Sequence, residues 1–153
     1  MMKTMKLPEA IREQFQSYGR DGGHARAARM SPDARRSVAR LAAIRRWTQE
    51  RFGASHFETL GLPGGELIDA GLRDLAFGRE SVESLLISLA APRLTREGVP
   101  VPRNTFNDAE TRLYRLLERS NEALAHARYN ALRRQVVSFA DACSHARKVR
   151  TVE

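Results

Sequence analysis

The stretch Gly19-Arg-Asp-Gly-Gly-His-Ala-Arg-Ala-Ala-Arg-Met-Ser-Pro-Asp-Ala-Arg-Arg-Ser-Val-Ala-Arg-Leu-Ala-Ala-Ile-Arg-Arg-Trp47 decides how the chain is read. Within it, Ser31-Pro32-Asp33 is a helix start: a hydroxyl for the N-cap, a proline at the first helical position and a carboxylate in the first turn. The helix predicted from it runs to about Phe52 and ends at Gly53. At 100° per residue, Ala34, Val38, Leu41, Ile44 and Phe52 fall on one face. Arg36, Arg40, Trp47 and Arg51 fall roughly opposite. The same stretch therefore supplies an apolar stripe for a core and an arginine face that carries the only tryptophan.

Upstream, Pro8 followed by Glu9 to Tyr18 predicts a short helix with Ile11, Phe15 and Tyr18 on one side. Gly19 reads as its stop and Gly22-Gly23 as a second break, leaving one or two helical turns from His24 to Met30. Downstream, Gly61-Leu-Pro63-Gly64-Gly65 reads as a hinge and sets a domain boundary, with a basic helical module over 1–60 and a helical bundle over 61–153. Helices are predicted over Glu66–Phe77 and Glu80–Ala91, paired antiparallel, with Pro92 interrupting the second. Gly98 to Asn104 reads as an extended linker because each proline biases its predecessor away from helix. Asn107-Asp-Ala-Glu110 reads as a capping box opening a helix with Leu113, Leu116 and Leu117, which stops near Ser120-Asn121. The last helix, from about Glu122 to Lys148, has the strongest periodicity: Ala125, Tyr129, Leu132, Val136, Phe139, Ala140 and Cys143.

A chain of 153 residues with few aromatics (7%) and abundant alanine and leucine favours an all-α fold. A hydrophobic content of 42% is too high for a wholly disordered chain. The net charge of +8 is unevenly spread: +7 over residues 1–52, −4 over 53–110 and +5 over 111–153. A lone cysteine, Cys143, forms no internal disulfide and points to a reducing compartment. Met1 to Leu7 carries lysines with no apolar run behind them, so no signal peptide is expected, and no window reaches the length of a membrane span. These features together imply a cytoplasmic protein that does not enter a membrane.

The partner class follows from arginine chemistry. Guanidinium forks bind phosphate oxygens bidentately and reach guanine edges in a groove. Arg26, Arg29, Arg35, Arg36, Arg40, Arg46 and Trp47 are the candidate nucleic-acid-binding residues. Gly22-Gly23 would let backbone approach a phosphate, with the Ser31 helix start beside it. Ile11 to Trp47 has the length of a helix–turn–helix with a long, glycine-rich turn. The same surface, with Trp47 as an anchor, also suits an acidic protein partner. A third use is intramolecular, against the acidic middle around Glu66, Asp69, Asp74, Glu80 and Glu83.

Catalytic readings are weaker. Arg119 and His126 have Arg-x6-His spacing and Arg51 and His56 have Arg-x4-His spacing, as in HEPN-type ribonucleases, but an arginine-rich chain produces such pairs by chance. No metal site is expected, because Cys143-Ser-His145 has no matching pair. No phosphate-binding Gly-rich loop, dinucleotide fingerprint or nucleophile elbow is present, so no catalytic residue and no cofactor is assigned.

The segment Gly22-Gly23-x-Ala25-Arg26-Ala27…Ser31-Pro32…Arg35-Arg36…Arg46-Trp47 resembles one found in many small uncharacterised bacterial proteins. Gly71-Leu72-x-Asp74-Leu75, Ala91-Pro92-Arg93-Leu94 and His126-Ala-Arg128-Tyr129-Asn130 are similar to later parts of such proteins. In this the glycine–arginine segment resembles segments found near toxin–antitoxin loci. The resemblance implies an antitoxin or regulator rather than an enzyme, and fixes no site residue. Together with the arginine surface, the expectation is a nucleic-acid-binding regulatory protein, an antitoxin-type transcriptional autoregulator binding DNA, with an acidic protein partner as the alternative.

Overall fold

The computed structural model describes residues 8–151, and among them there are six α-helices and no strand. The all-α class predicted from composition is therefore what forms. In chain order the helices are α1 (Glu9–Arg29), α2 (Pro32–Phe52), α3 (Gly65–Ala76), α4 (Val82–Arg96), α5 (Ala109–Ser120) and α6 (Ala125–Thr151). Short 3-10 turns occupy Glu58–Leu60 and Glu122–Leu124. Met1 to Leu7, the stretch expected to hold no apolar leader, lies outside the described residues. The chain divides into two compact units, Met1–Arg36 and Ser37–Glu153, and the division falls inside α2.

In the first unit, α1 is one helix where the sequence predicts two short ones. The Pro8 carbonyl opens it, accepting from the amides of Ile11 and Arg12 at 3.1 Å each. Gly19, Gly22 and Gly23 all lie inside it. A glycine costs about 1 kcal/mol relative to alanine in a helix interior, whereas a proline costs about 3. No proline stands between Pro8 and Pro32, so three glycines weaken the helix without ending it. What ends it is Pro32, which excludes Ser31 from the helical region; Met30 is already extended at φ −94° and ψ 141°. The hydroxyl of Ser31 then accepts from the Ala34 amide at 3.2 Å, the N-cap predicted for α2.

The second unit begins at Ser37 and holds the core. The buried stripe of α2 is Ser37, Ile44, Thr48 and Phe52, with Leu41 half-buried. The predicted stripe is thus partly corrected: Val38 is exposed, and two hydroxyl residues take core positions. Thr48 is tolerated there because its Oγ1 donates to the Ile44 carbonyl at 2.8 Å, leaving only its methyl to the neighbours. Gly53, at φ 87°, ends the helix as predicted.

Phe57 anchors the segment that follows. It is fully buried between the rings of Phe52 and Phe139, each at 5.1 Å and close to perpendicular. Its amide and that of Glu58 donate to the two oxygens of the Asp69 carboxylate, both at 3.0 Å. From there α3 packs on α4, α4 on α5 and α6, and α5 on α6. Leu75, Leu85, Ile87, Leu94, Leu113, Leu117 and Phe139 meet in the centre with no exposed surface.

The opening and length of α4 and the opening of α5 also depart from expectation, while α5 ends at Ser120 as predicted. α4 opens with a reciprocal cap in which the Ser84 amide donates to Ser81 Oγ at 3.1 Å and the Ser81 amide to Ser84 Oγ at 2.8 Å. It then continues through Pro92 to Arg96. Pro92 is exposed, and the turn beyond it carries Leu94 into the core, so burial outweighs the missing amide hydrogen bond. α5 has no capping box: Asp108 sits in the left-handed region at φ 51° and its side chain makes no capping bond. Glu110 instead accepts the phenolic hydrogen bond of Tyr129, and this carboxylate belongs to the α5–α6 packing. Burial, then the Glu110 contact, pushes the Tyr129 phenol above its ordinary value of 10.0, against a smaller opposite pull from Arg133.

Candidate nucleic-acid interface

Between Arg26 and Arg51 the chain carries eight arginines and two carboxylates, Asp33 and Glu50. Such density is costly to bury, and the structure leaves these arginines exposed. In the first unit, Arg26 and Arg29 occupy the last turn of α1, where cations meet the negative end of the helix dipole. Arg36 donates to Asp33 at 3.2 Å across one turn of α2, and both side chains face solvent. Gly22 and Gly23 are helical, so the backbone cradle expected from them does not form. Their amides are spent in the ladder of α1.

The second unit holds Arg40, Arg46 and Trp47. Arg46 is exposed. Arg40 reaches the Ala76 carbonyl at 3.5 Å. Trp47 is 42% exposed, and the Arg51 guanidinium lies 5.1 Å from its ring centre. Arg51 is itself held by donation to the Gly98 carbonyl at 2.9 Å.

That last bond joins α2 to the segment after α4. The prolines predict an extended path from Gly98 to Asn104; the segment observed is neither helix nor strand, turning at Gly98 (φ 85°), with the Val101 amide donating to the Val99 carbonyl at 2.9 Å, and bending at Arg103. It also returns to the tryptophan, which the sequence does not reveal. Val99 buries its side chain, and Asn104 Nδ2 donates to the Leu75 carbonyl at 2.6 Å, which fixes both ends of the strap. A cavity of about 740 Å³ lies between the strap and α2. Arg40, Trp47 and Arg51 line one side; Pro100, Pro102 and Arg103 line the other. No acidic residue is among the described residues that line it. Asn104 Oδ1 is buried at this cavity with no hydrogen-bond partner among the described residues.

Arg51, Arg103 and Asn104 are therefore site residues that sequence reasoning does not assign. For Arg51 a signal exists, since it shares a helix face with Trp47. Arg103 and Asn104 carry no local signal, because their place depends on where the strap docks.

The remaining candidates lie elsewhere. His126 shares a hydrogen bond with Asn130 at 3.0 Å on the exposed side of α6. Arg119 is exposed at the end of α5. Of the acidic middle, Asp74 pairs with Arg73 and Arg79, and Glu80 with Arg112. No group of His, Cys, Asp and Glu able to hold a metal occurs among the described residues. Among the same residues, no helix is long and apolar enough to cross a membrane. Comparison with known families, curated proteins and solved structures returns no match.

Proposed function

We propose that this protein binds nucleic acid and acts as a regulator, in the manner of an antitoxin-type transcriptional autoregulator of a bacterial cytoplasm. The observation that carries the reading is the arginine density between Arg26 and Arg51, where eight cations face solvent with two carboxylates among them. Surface charge of one sign at this density attracts a polyanion and neutralises its phosphates. Arg26, Arg29, Arg35, Arg36, Arg40 and Arg46 supply those contacts, and Trp47 supplies a ring to stack or pack. Such contacts give affinity and orientation with little choice of sequence. In the same reading α3 to α6 form an antiparallel bundle that carries the basic module. DNA binding titrated at increasing salt tests the proposal: affinity falls steeply if phosphates are the target, and absence of binding at low salt refutes it.

A second reading rests on a separate observation. α1 is 21 residues long with no buried side chain, and Phe15 and Tyr18 are 66% and 65% exposed. With three glycines inside it and no side chain buried, α1 has little of its own to hold it helical. A protein partner, acidic toward the arginines and apolar toward Phe15 and Tyr18, would stabilise it. Capture of one stoichiometric protein, abolished on combining Arg36→Glu with Trp47→Ala, would favour this reading over the first.

A further inference from the structure

We infer that α1 is a helix–coil switch: in the free chain its helix is the minor state, and Gly19, Gly22 and Gly23 set the balance. The inference holds whichever partner the arginines take.

Among the described residues, little beyond its own backbone holds α1 helical. None of its side chains is buried, and Ile11, Phe15 and Tyr18 are 40%, 66% and 65% exposed. Its N-cap position is Pro8, which makes no side-chain cap. Within the helix one side-chain hydrogen bond forms, from Gln14 Nε2 to the Tyr18 hydroxyl at 3.5 Å, the far end of hydrogen-bond range. Glu9 and Glu13 stand four residues apart, where like charges disfavour the helix.

The glycines serve neither space nor backbone geometry. A β-carbon at Gly19, Gly22 or Gly23 would meet nothing within 4 Å. None of the three has a positive φ, unlike Gly53 at the end of α2. Gly71 is different, because α4 leaves no room for a β-carbon there. What the three glycines of α1 change is the helix equilibrium. Each lowers it about fivefold relative to alanine, and the three together lower it about a hundredfold.

That factor decides which state is populated. Starting a helix costs a factor of about 10⁻³, and each further hydrogen bond returns a factor of about 1.6 at best. A helix of 21 residues closes about 17 such bonds. With alanine-like residues throughout, the product favours helix by about tenfold at most. The hundredfold from the glycines reverses this and leaves about a tenth of the molecules, or fewer, with α1 helical. Ile11, Phe15 and Tyr18, spaced by four and three, share a face in the helical state alone. The switch therefore controls whether that apolar face exists.

Amide hydrogen exchange and far-UV circular dichroism of the full chain test the inference. In the wild type, α1 amides should exchange within about twofold of the unstructured rate, while buried amides of α3 to α6 are protected. Replacing Gly19, Gly22 and Gly23 together by alanine should slow exchange in α1 severalfold and deepen the helical signal, with α3 to α6 unchanged. Gly22→Pro, which breaks a helix from within, should leave the wild-type signal almost unaltered. Three results would overturn the switch: wild-type α1 amides protected as strongly as those of α3, a triple-alanine variant with no gain of helix, or a Gly22→Pro variant that loses helical signal equivalent to α1.

Discussion

Replacing Gly71 by alanine probes the packing on which the second unit rests. Gly71 lies in α3 where α4 crosses it. A β-carbon placed there would stand 2.7 Å from the Glu83 carbonyl oxygen, 3.0 Å from its carbon and 2.5 Å from Ile87 Cγ1. Ile87 can rotate, but Glu83 offers backbone, and its oxygen must withdraw by several tenths of an ångström. Two helices have to separate, and the close packing of the buried Leu75, Leu85 and Leu86 loosens as they do. Overpacking of this kind costs about 1–3 kcal/mol. Alanine offsets about 1 kcal/mol of that through its better helix propensity. The net expected loss is up to about 2 kcal/mol, which for a chain of this size lowers Tm by up to roughly 8 °C. Thermal and urea unfolding followed by circular dichroism measure it. Gly19→Ala is the control: nothing lies within 4 Å of its β-carbon, so it should raise helical signal with no loss of stability. Gly71→Ala clearly more stable than wild type, gaining the full helix propensity as Gly19→Ala should, would refute the close helix approach.

Two other perturbations address single interactions. Asp69→Ala removes the acceptor of the Phe57 and Glu58 amides and should destabilise the unit by about 2–3 kcal/mol, measured in urea; an unchanged midpoint would contradict the cap. The Tyr129 phenol, raised above 10.0, favours the neutral ring in the folded state. Its contribution to stability is therefore full below pH 10 and is lost as pH rises through the folded value. Phenolate absorbance should show an ionisation step above pH 10, and Tyr129→Phe should abolish that step.

Elements whose identity rests on local chemistry are legible in the sequence. Ser31-Pro32 caps α2 because hydroxyl and proline act within one turn. The stripe of α6 from Ala125 to Cys143 is buried, with Leu132 half-buried, because an unbroken period of three and four has one way to face a core. Legibility fails where a distant contact outweighs a local preference. Gly19, Gly22 and Gly23 disfavour helix by small amounts, and counting them as breaks overstates a propensity. Pro92 breaks a helix in isolation but not when Leu94 beyond it is fully buried. Thr48 reads as polar until its hydroxyl turns onto the Ile44 carbonyl. The site divides in the same way. Arginines on α2 are visible as a pattern, whereas Arg103 joins Trp47 only because Val99 and Asn104 pin the strap.

Phosphate binding by the exposed arginines near and on α2, as proposed above, should be read out in the salt dependence of DNA binding. The slope of log K against log salt is about −0.9 per phosphate neutralised on duplex DNA and about −0.7 on a single strand. Wild type should show a slope of several units. Replacing Arg35, Arg36, Arg40 and Arg46 together by glutamine should flatten it by about one unit for each phosphate no longer neutralised, with the helical signal retained. A slope left unchanged by the four substitutions, or no binding at low salt, would contradict the account.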